Sequence, residues 1–144
     1  MGSSSSSSNR LLCGTIYSLP NSVISDHFDE YAEVEIRSKR IDFTFGVGVH
    51  HGIVLDLPKE NEYWACEWGN SGKDVYRGTK QNSVYHKTLG SFKIRDIYDA
   101  VNKASFGASY GSNYNCNHWT EKVARYLGCS ADCRWSGTCC QGRF

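Results

Sequence analysis

The chain has 144 residues, of which 40% are hydrophobic and 13% aromatic, and its formal net charge is +1. A chain of this length can bury one core of ordinary size, so we expect a single compact soluble domain. The near-neutral charge argues against nonspecific nucleic-acid binding. No run of about 18 apolar residues is present, which argues against stable membrane insertion. No secretory signal is evident, which favours a cytoplasmic location, with the nucleus as a second compartment.

Composition divides the chain into three parts. Residues 1–9 form a serine-rich leader that we expect to be disordered, residues 10–128 carry the pattern of a folded domain, and residues 129–144 form a cysteine-rich tail. The tail has too few apolar residues to fold on hydrophobicity alone. Its cysteines are Cys129, Cys133, Cys139 and Cys140. Three alternatives stay open for them: reduced thiols, disulfide bonds or a zinc site.

The hydrophobic pattern predicts an α+β fold with an antiparallel sheet packed against helices. In chain order, we predict strands at residues 11–18, 31–37, 43–55 and 63–69 and near Val75, with a short helix or loop at 21–29. Two helices follow. Ser91 is predicted to cap the first, residues 105–113 form a linker rich in glycine and serine, and the second helix occupies residues 115–127.

Cys116 lies at the N-terminus of the last predicted helix. Trp119, Val123 and Leu127 share one stripe of this helix, and Cys116 extends the stripe by one turn. Exposed N–H groups and the positive end of the helix dipole favour a thiolate at this position. Gly128 suits the end of the helix because glycine tolerates a left-handed backbone. An unreactive core cysteine is the alternative, so the interpretation depends on a partner that accepts the thiol proton.

The candidate bases are the five histidines of the chain, which are His27, His50, His51, His86 and His118. His118 projects from a different side of the helix than Cys116. His50 and His51 share the long strand, where side chains alternate between faces, so only one of them can face the cysteine. Glycines accompany His50 on its side of the strand, and glycine often marks close approach of another element. This favours His50 as the base, with packing of the helix on the bulky opposite face as the alternative.

Three motifs follow one another over residues 42–128. The long strand contains His50-His51-Gly52-Ile53-Val54-Leu55, an aromatic strand ends at Gly69, and the last helix begins with Asn115-Cys116-Asn117-His118-Trp119. This order resembles that of the PPPDE family of permuted papain-fold thiol peptidases, which includes the desumoylating isopeptidases. The resemblance implies a circularly permuted papain-like fold of the NlpC/P60 type.

The resemblance also implies Cys116 as nucleophile and His50 as general base, without a required third member. The implied reaction is hydrolysis of a peptide or isopeptide bond of a ubiquitin-like modifier through a thioester, with no cofactor and no metal. Further candidates for the groove beside this pair are Asn115, His118, Trp119, His51, Glu67 and Trp68. The cysteine-rich tail departs from the apolar, proline-containing segment of the family, which leaves the substrate open.

More distantly, the motifs resemble the lecithin:retinol acyltransferase and NlpC/P60 group, whose cysteine accepts an acyl group from phospholipid. That group usually carries a second histidine on the following strand, where this chain has Cys66 and Glu67. The difference favours the peptidase interpretation over an acyltransferase or thioesterase. A catalytically silent binding module that keeps a papain-like groove is the third interpretation.

Overall fold

The structure is a computed structural model that describes residues 9–43 and 46–129. Within these ranges the chain forms eight strands and three helices. The strands are β1 (Leu12–Cys13), β2 (Tyr17–Ser18), β3 (Tyr31–Phe43), β4 (Gly46–Leu57), β5 (Glu62–Gly69), β6 (Gly72–Gly78), β7 (Lys80–Gln81) and β8 (Val84–Lys93). The helices are α1 (Asn21–Asp26), α2 (Ile94–Ser105) and α3 (Cys116–Tyr126). Apart from Asn9 and Cys129, the predicted leader and tail lie outside the described residues.

Six of the described strands form one antiparallel sheet in the order β2-β6-β5-β4-β3-β8, and β1 pairs separately with β7. Strands β3 to β6 follow one another as a meander, so each pairs with its neighbour in the chain. The predicted α+β class, with an antiparallel sheet packed against helices, is therefore confirmed. Among the described helices, none has both the length and the apolar character needed to cross a membrane.

Two local predictions are wrong for identifiable reasons. The strand predicted at residues 11–18 divides at Gly14, whose φ of 89° turns the chain, and its two pieces pair with different strands. Ser91 is not a helix cap, because it lies in β8, a strand that the sequence pattern did not predict. Gly90 has a φ of 134° in that strand, and register shifts interrupt its pairing with β3. These irregularities break the alternation by which a strand is recognised.

The sheet separates two hydrophobic cores. The larger lies between the sheet and helices α2 and α3, and its members include Ile53, Leu55, Cys66, Trp119 and Val123. The smaller lies on the opposite face and contains Leu11, Leu12, Val54, Ala65 and Tyr76. Neighbouring residues of β4 and β5 thus alternate between the two cores, as strand geometry requires.

At Gly52, the glycine-bearing side of β4 faces residues 10–13, which we call the N-terminal segment, and not the cysteine helix. A Cβ atom on Gly52 would lie 2.7 Å from Leu11 Cδ1, and one on Gly78 of β6 would lie 2.8 Å from Leu12 Cβ. The expectation that the cysteine helix approaches this side is wrong, because α3 packs on the bulky side of β4. Glycine does mark close approach here, and the approaching element is the N-terminal segment.

Gly78→Ala is expected to lower the free energy of unfolding by about 1–3 kcal/mol, the usual cost of overpacking a filled site. The new methyl group would overlap Leu12 Cβ, which can move only together with its backbone, and would come within 3.0 Å of Ile16 Cδ1. Urea denaturation followed by circular dichroism measures the change. Gly69→Ala is the matched control, since no atom lies within 4 Å of its added Cβ. Equal losses in the two variants would contradict the close packing of the N-terminal segment.

Candidate active site

Residues at the start of helix α3 cap the helix with their own side chains. Asn115 is the N-cap, and its Oδ1 accepts hydrogen bonds from the N–H groups of Asn117 at 2.9 Å and His118 at 3.2 Å. His118 Nδ1 accepts in return from the Asn115 N–H at 3.1 Å. This reciprocal capping box holds the first turn in place. Cys116 thereby occupies the first helical position, where a backbone N–H has no partner within the helix.

The sulfur of Cys116 lies at the edge of β4. The N–H of His51 donates to Cys116 Sγ at 3.4 Å, and Sγ lies 3.8 Å from the carbonyl oxygen of Val49. Strand β5 pairs with β4 only as far as Gly52, opposite Glu67. The cysteine therefore contacts backbone groups that the sheet leaves unpaired beyond that point.

The imidazole of His50 connects Cys116 with Glu67. Its Nε2 lies 2.8 Å from Oε1 of Glu67, and the ring also hydrogen-bonds the thiol of Cys116. Because Glu67 engages Nε2, Nδ1 is the nitrogen that remains for the sulfur. The structure thus brings three of the sequence candidates together, and Glu67 adds a third member to the expected pair.

This contact favours an ion pair between sulfur and imidazole. Burial raises the pKa of the Cys116 thiol, but hydrogen bonds from His50 and His51 outweigh burial and lower that pKa to about 6. Burial lowers the pKa of His50, but hydrogen bonds to Cys116 and Glu67 outweigh it and raise that pKa to about 10. At neutral pH a thiolate therefore faces an imidazolium. By contrast, burial and the charge of Glu67 raise the pKa of Cys66 to about 12.

Glu67 stays ionised although it is buried. Burial alone raises the pKa of its carboxyl group, but the hydrogen bond and charge of His50, the Tyr76 hydroxyl and the Leu11 N–H together lower it. The Leu11 N–H donates to Glu67 Oε2 at 3.1 Å, and the Tyr76 hydroxyl donates to the same oxygen. No sequence motif indicates a role for Tyr76 or Leu11. The sequence predicts only that Tyr76 lies in or next to a strand near Val75.

The remaining sequence candidates hold the cysteine helix against the sheet. The rings of Trp68 and Trp119 stack with centroids 6.0 Å apart, and both side chains are buried. Trp68 Nε1 donates to the Tyr114 carbonyl at 3.0 Å, and Trp119 Nε1 donates to Ser105 Oγ at 2.9 Å. His51 is buried as well, and its contribution to the sulfur includes the backbone N–H described above.

A cavity of about 200 Å³ opens beside His50 and Glu67, and its wall includes Arg10 and Trp68. Cys116 itself is 6% exposed. Tyr110, a linker residue that no sequence prediction singled out, hydrogen-bonds both the thiol and the backbone N–H of Cys116. Tyr110 is 39% exposed, whereas Cys116 is buried.

A cluster away from this site has the composition of a metal site. His27, Glu30 and Glu60 bring ligand atoms within 4.8 Å of one another. His27 Nδ1 lies 2.8 Å from Glu30 Oε2 and 3.8 Å from Glu60 Oε2, so these groups already form ion pairs when the histidine is protonated. Glu60 lies in the β4–β5 turn, at the end of β4 away from His50. The cluster therefore takes no part in the chemistry of the thiol.

Comparisons with known protein families, with curated proteins and with solved structures find no match for this chain. The candidate site is therefore defined by its geometry alone. That geometry is a Cys–His–Glu arrangement at the start of a helix, buried in an α+β fold.

The rate of Cys116 alkylation by iodoacetamide is expected to rise with a midpoint at about pH 6, because the thiolate predominates above its lowered pKa. A free cysteine has its midpoint at about pH 8.5. Mass spectrometry of the modified peptide measures the rate at each pH. Cys129, whose thiol pKa is raised by burial, is the internal control. A Cys116 midpoint at or above that of free cysteine would contradict the ion pair.

Proposed function

We propose that this protein is a thiol hydrolase that transfers an acyl group to Cys116 and then to water. The observation that carries the proposal is the hydrogen-bonded series from Cys116 through His50 to Glu67. A nucleophile, a base and a group that orients the base form the general arrangement of covalent acyl transfer. The lowered pKa of the thiol supports the same conclusion, because the thiolate is the reactive form of cysteine.

In the first half of the proposed reaction, the thiolate attacks the carbonyl carbon of the substrate, and the electron pair of the double bond moves to oxygen. The backbone N–H of Cys116 donates to the resulting oxyanion once the Tyr110 hydroxyl has left it. The protonated His50 gives its Nδ1 hydrogen to the leaving amine as the bond between amine and carbonyl carbon breaks. A thioester on Cys116 and a neutral His50 remain.

The second half consumes the thioester. Neutral His50 takes a proton from water at Nδ1, the hydroxide attacks the thioester carbon, and the thiolate of Cys116 leaves. The acid product departs, and the ion pair is restored. Glu67 holds Nε2 of His50 throughout, so the same ring nitrogen exchanges protons in both halves.

Within this class, we propose an isopeptidase of the PPPDE type that acts at the C-terminus of a ubiquitin-like modifier. The support is the order of the motifs, in which a histidine strand precedes an aromatic strand and a cysteine helix. A circularly permuted papain-like fold would account for a base that precedes its nucleophile in the chain. The antiparallel sheet flanked by helices agrees with such a fold.

A transferase or thioesterase that accepts acyl groups from lipids or thioesters is the second candidate. The lack of a second histidine on the strand after His50 is a difference from the acyltransferase group. However, Glu67 of β5 contacts His50 Nε2 at 2.8 Å, so that strand supplies an orienting group without a second histidine. Both candidates form an acyl-cysteine, and they differ in the acyl donor.

A panel of electrophiles distinguishes the candidates. We expect ubiquitin-like modifiers with a C-terminal propargylamide to form an adduct with Cys116, and fatty-acyl chloromethyl ketones to react more slowly, because the proposed groove accepts a polypeptide terminus. Intact-mass and peptide mass spectrometry measure the adducts. Reaction with the lipid probes alone would support the acyltransferase. Reaction with neither class, in protein that iodoacetamide still alkylates, would support the silent binding module.

Cys116→Ala should form no adduct in this panel and should lower the hydrolysis of a fluorogenic modifier substrate by about 10³-fold or more. The fold should be retained, because the change removes a single small side-chain atom, and circular dichroism checks this. Cys129→Ser is the matched control, a thiol outside the site that should keep full turnover. Full turnover by Cys116→Ala would refute the hydrolase proposal.

A further inference from the structure

The hydroxyl group of Tyr76 is enclosed and has a complete set of partners. The side chain is fully buried, and its oxygen accepts hydrogen bonds from the N–H groups of Leu11 at 3.0 Å and Leu12 at 3.2 Å. A hydroxyl oxygen has two lone pairs and one hydrogen. Because both lone pairs face backbone N–H groups, the hydrogen is all that Tyr76 can offer to Glu67, and it donates to Oε2.

By the same reasoning, the carboxylate of Glu67 can only accept hydrogen bonds. Its Oε2 meets the Tyr76 hydrogen and the Leu11 N–H, which is shared between this oxygen and the Tyr76 oxygen, and neither donor can change into an acceptor. A proton on Oε2 would therefore have no acceptor, and the donors around the carboxylate lower its pKa. Oε1 of this carboxylate faces His50 Nε2 at 2.8 Å. An ionised carboxylate can only accept, so Nε2 has to carry a hydrogen.

We propose that Tyr76, held by the N–H groups of Leu11 and Leu12, determines the tautomer of His50. The inference rests on the proposed function, in which Nδ1 of His50 exchanges a proton with Cys116. Each hydrogen bond from the N-terminal segment to Glu67 leaves the next group one role, and the last consequence is a hydrogen held on Nε2. Nδ1 is then the nitrogen that carries a hydrogen in the ion pair and has a free lone pair when His50 is neutral. Tyr76 is a positioning residue that acts through Glu67.

The N-terminal segment is fastened independently of this hydrogen-bond chain. The Leu11 carbonyl accepts the N–H of Asn82 at 2.9 Å, and β1 pairs with β7. The guanidinium group of Arg10 lies 4.5 Å above the centre of the Tyr76 ring. The donors at Tyr76 and Glu67 are thus held in position before any substrate arrives, which is the condition for a side chain to impose a tautomer on its neighbour.

Glu67→Gln tests the proposal because an amide has one accepting end and one donating end. The donors at Oε2 should hold the amide oxygen there and turn the amide NH₂ toward His50. Nε2 would then have to accept, and the hydrogen would move to Nδ1, where the thiol needs an acceptor. We expect the pH midpoint of Cys116 alkylation to rise by about one unit or more, the effect of losing one hydrogen bond to a charged group.

The tautomer itself is measured by ¹⁵N NMR of His50 at a pH above the His50 pKa of about 10, where the ring is neutral. Glu67→Gln should show the hydrogen on Nδ1, and the wild type should show it on Nε2. An amide free to turn would present its oxygen to His50 instead. A Glu67→Gln protein with the wild-type tautomer and alkylation midpoint would overturn the proposal.

Tyr76→Phe removes the hydroxyl and keeps the ring. We expect the alkylation midpoint to rise by about one unit and kcat to fall about 10- to 100-fold with little change in KM, the scale seen when an outer hydrogen-bond partner is lost. Tyr63→Phe, at a residue that packs against the same core, should change neither quantity. A folded Tyr76→Phe protein with the wild-type midpoint would overturn the proposal. If this variant does not fold, Glu67→Gln decides alone.

Alkylation and NMR need no substrate, so these measurements separate the inference from the proposed function. If the wild type has its low alkylation midpoint and its Nε2 hydrogen but turns over no acyl substrate, the proposed function fails and the role of Tyr76 stands. If substrate is hydrolysed while Glu67→Gln and Tyr76→Phe keep the wild-type midpoint, the role of Tyr76 fails and the proposed function stands.

Discussion

The charged series of Cys116, His50 and Glu67 constrains how helix α3, the sheet and the N-terminal segment can be arranged, because it is almost entirely buried. Charges removed from water are unfavourable unless each is paired and hydrogen-bonded. In this chain β4 donates an N–H to the sulfur and the N-terminal segment donates one to the carboxylate, across separations of 65 and 56 positions in the sequence. The pKa of the thiol is therefore lowered only in a chain whose distant parts have already come together.

The sheet makes this possible because its two faces serve different purposes. One face packs against helix α2 and against α3, the helix that carries Cys116, while the other packs against the N-terminal segment, which contacts Glu67. The sulfur lies at the strand edge, where β5 no longer pairs with β4, and from there it contacts the imidazole of His50. A cysteine in the middle of the face that packs against α2 and α3 would be separated from Glu67 by the sheet itself.

Features set by local sequence could be predicted, and features set by distant packing could not. The cysteine helix and its end at Gly128, with a φ of 81°, follow from periodicity and backbone preference. Alternation and glycine spacing selected His50, although glycine could not reveal which element would fill the space. Tyr76 and Leu11 escaped prediction because the hydroxyl of a buried tyrosine and a backbone N–H leave no pattern in a sequence. The sequence predicts Glu67 only as a candidate for the groove, because its contact with His50 depends on the register of β4 and β5.

The hydrogen bond from the His51 N–H to Cys116 Sγ links the chemistry of the sulfur to the backbone of the sheet. A thiolate is a good acceptor for an N–H group, whereas the sulfur of a thioester is neutral and accepts weakly. In the proposed cycle, each acylation of Cys116 would thus weaken the hydrogen bond of the His51 N–H at the edge of β4, and each hydrolysis would restore that bond. The exchange rate of that single amide hydrogen would report whether Cys116 carries an acyl group.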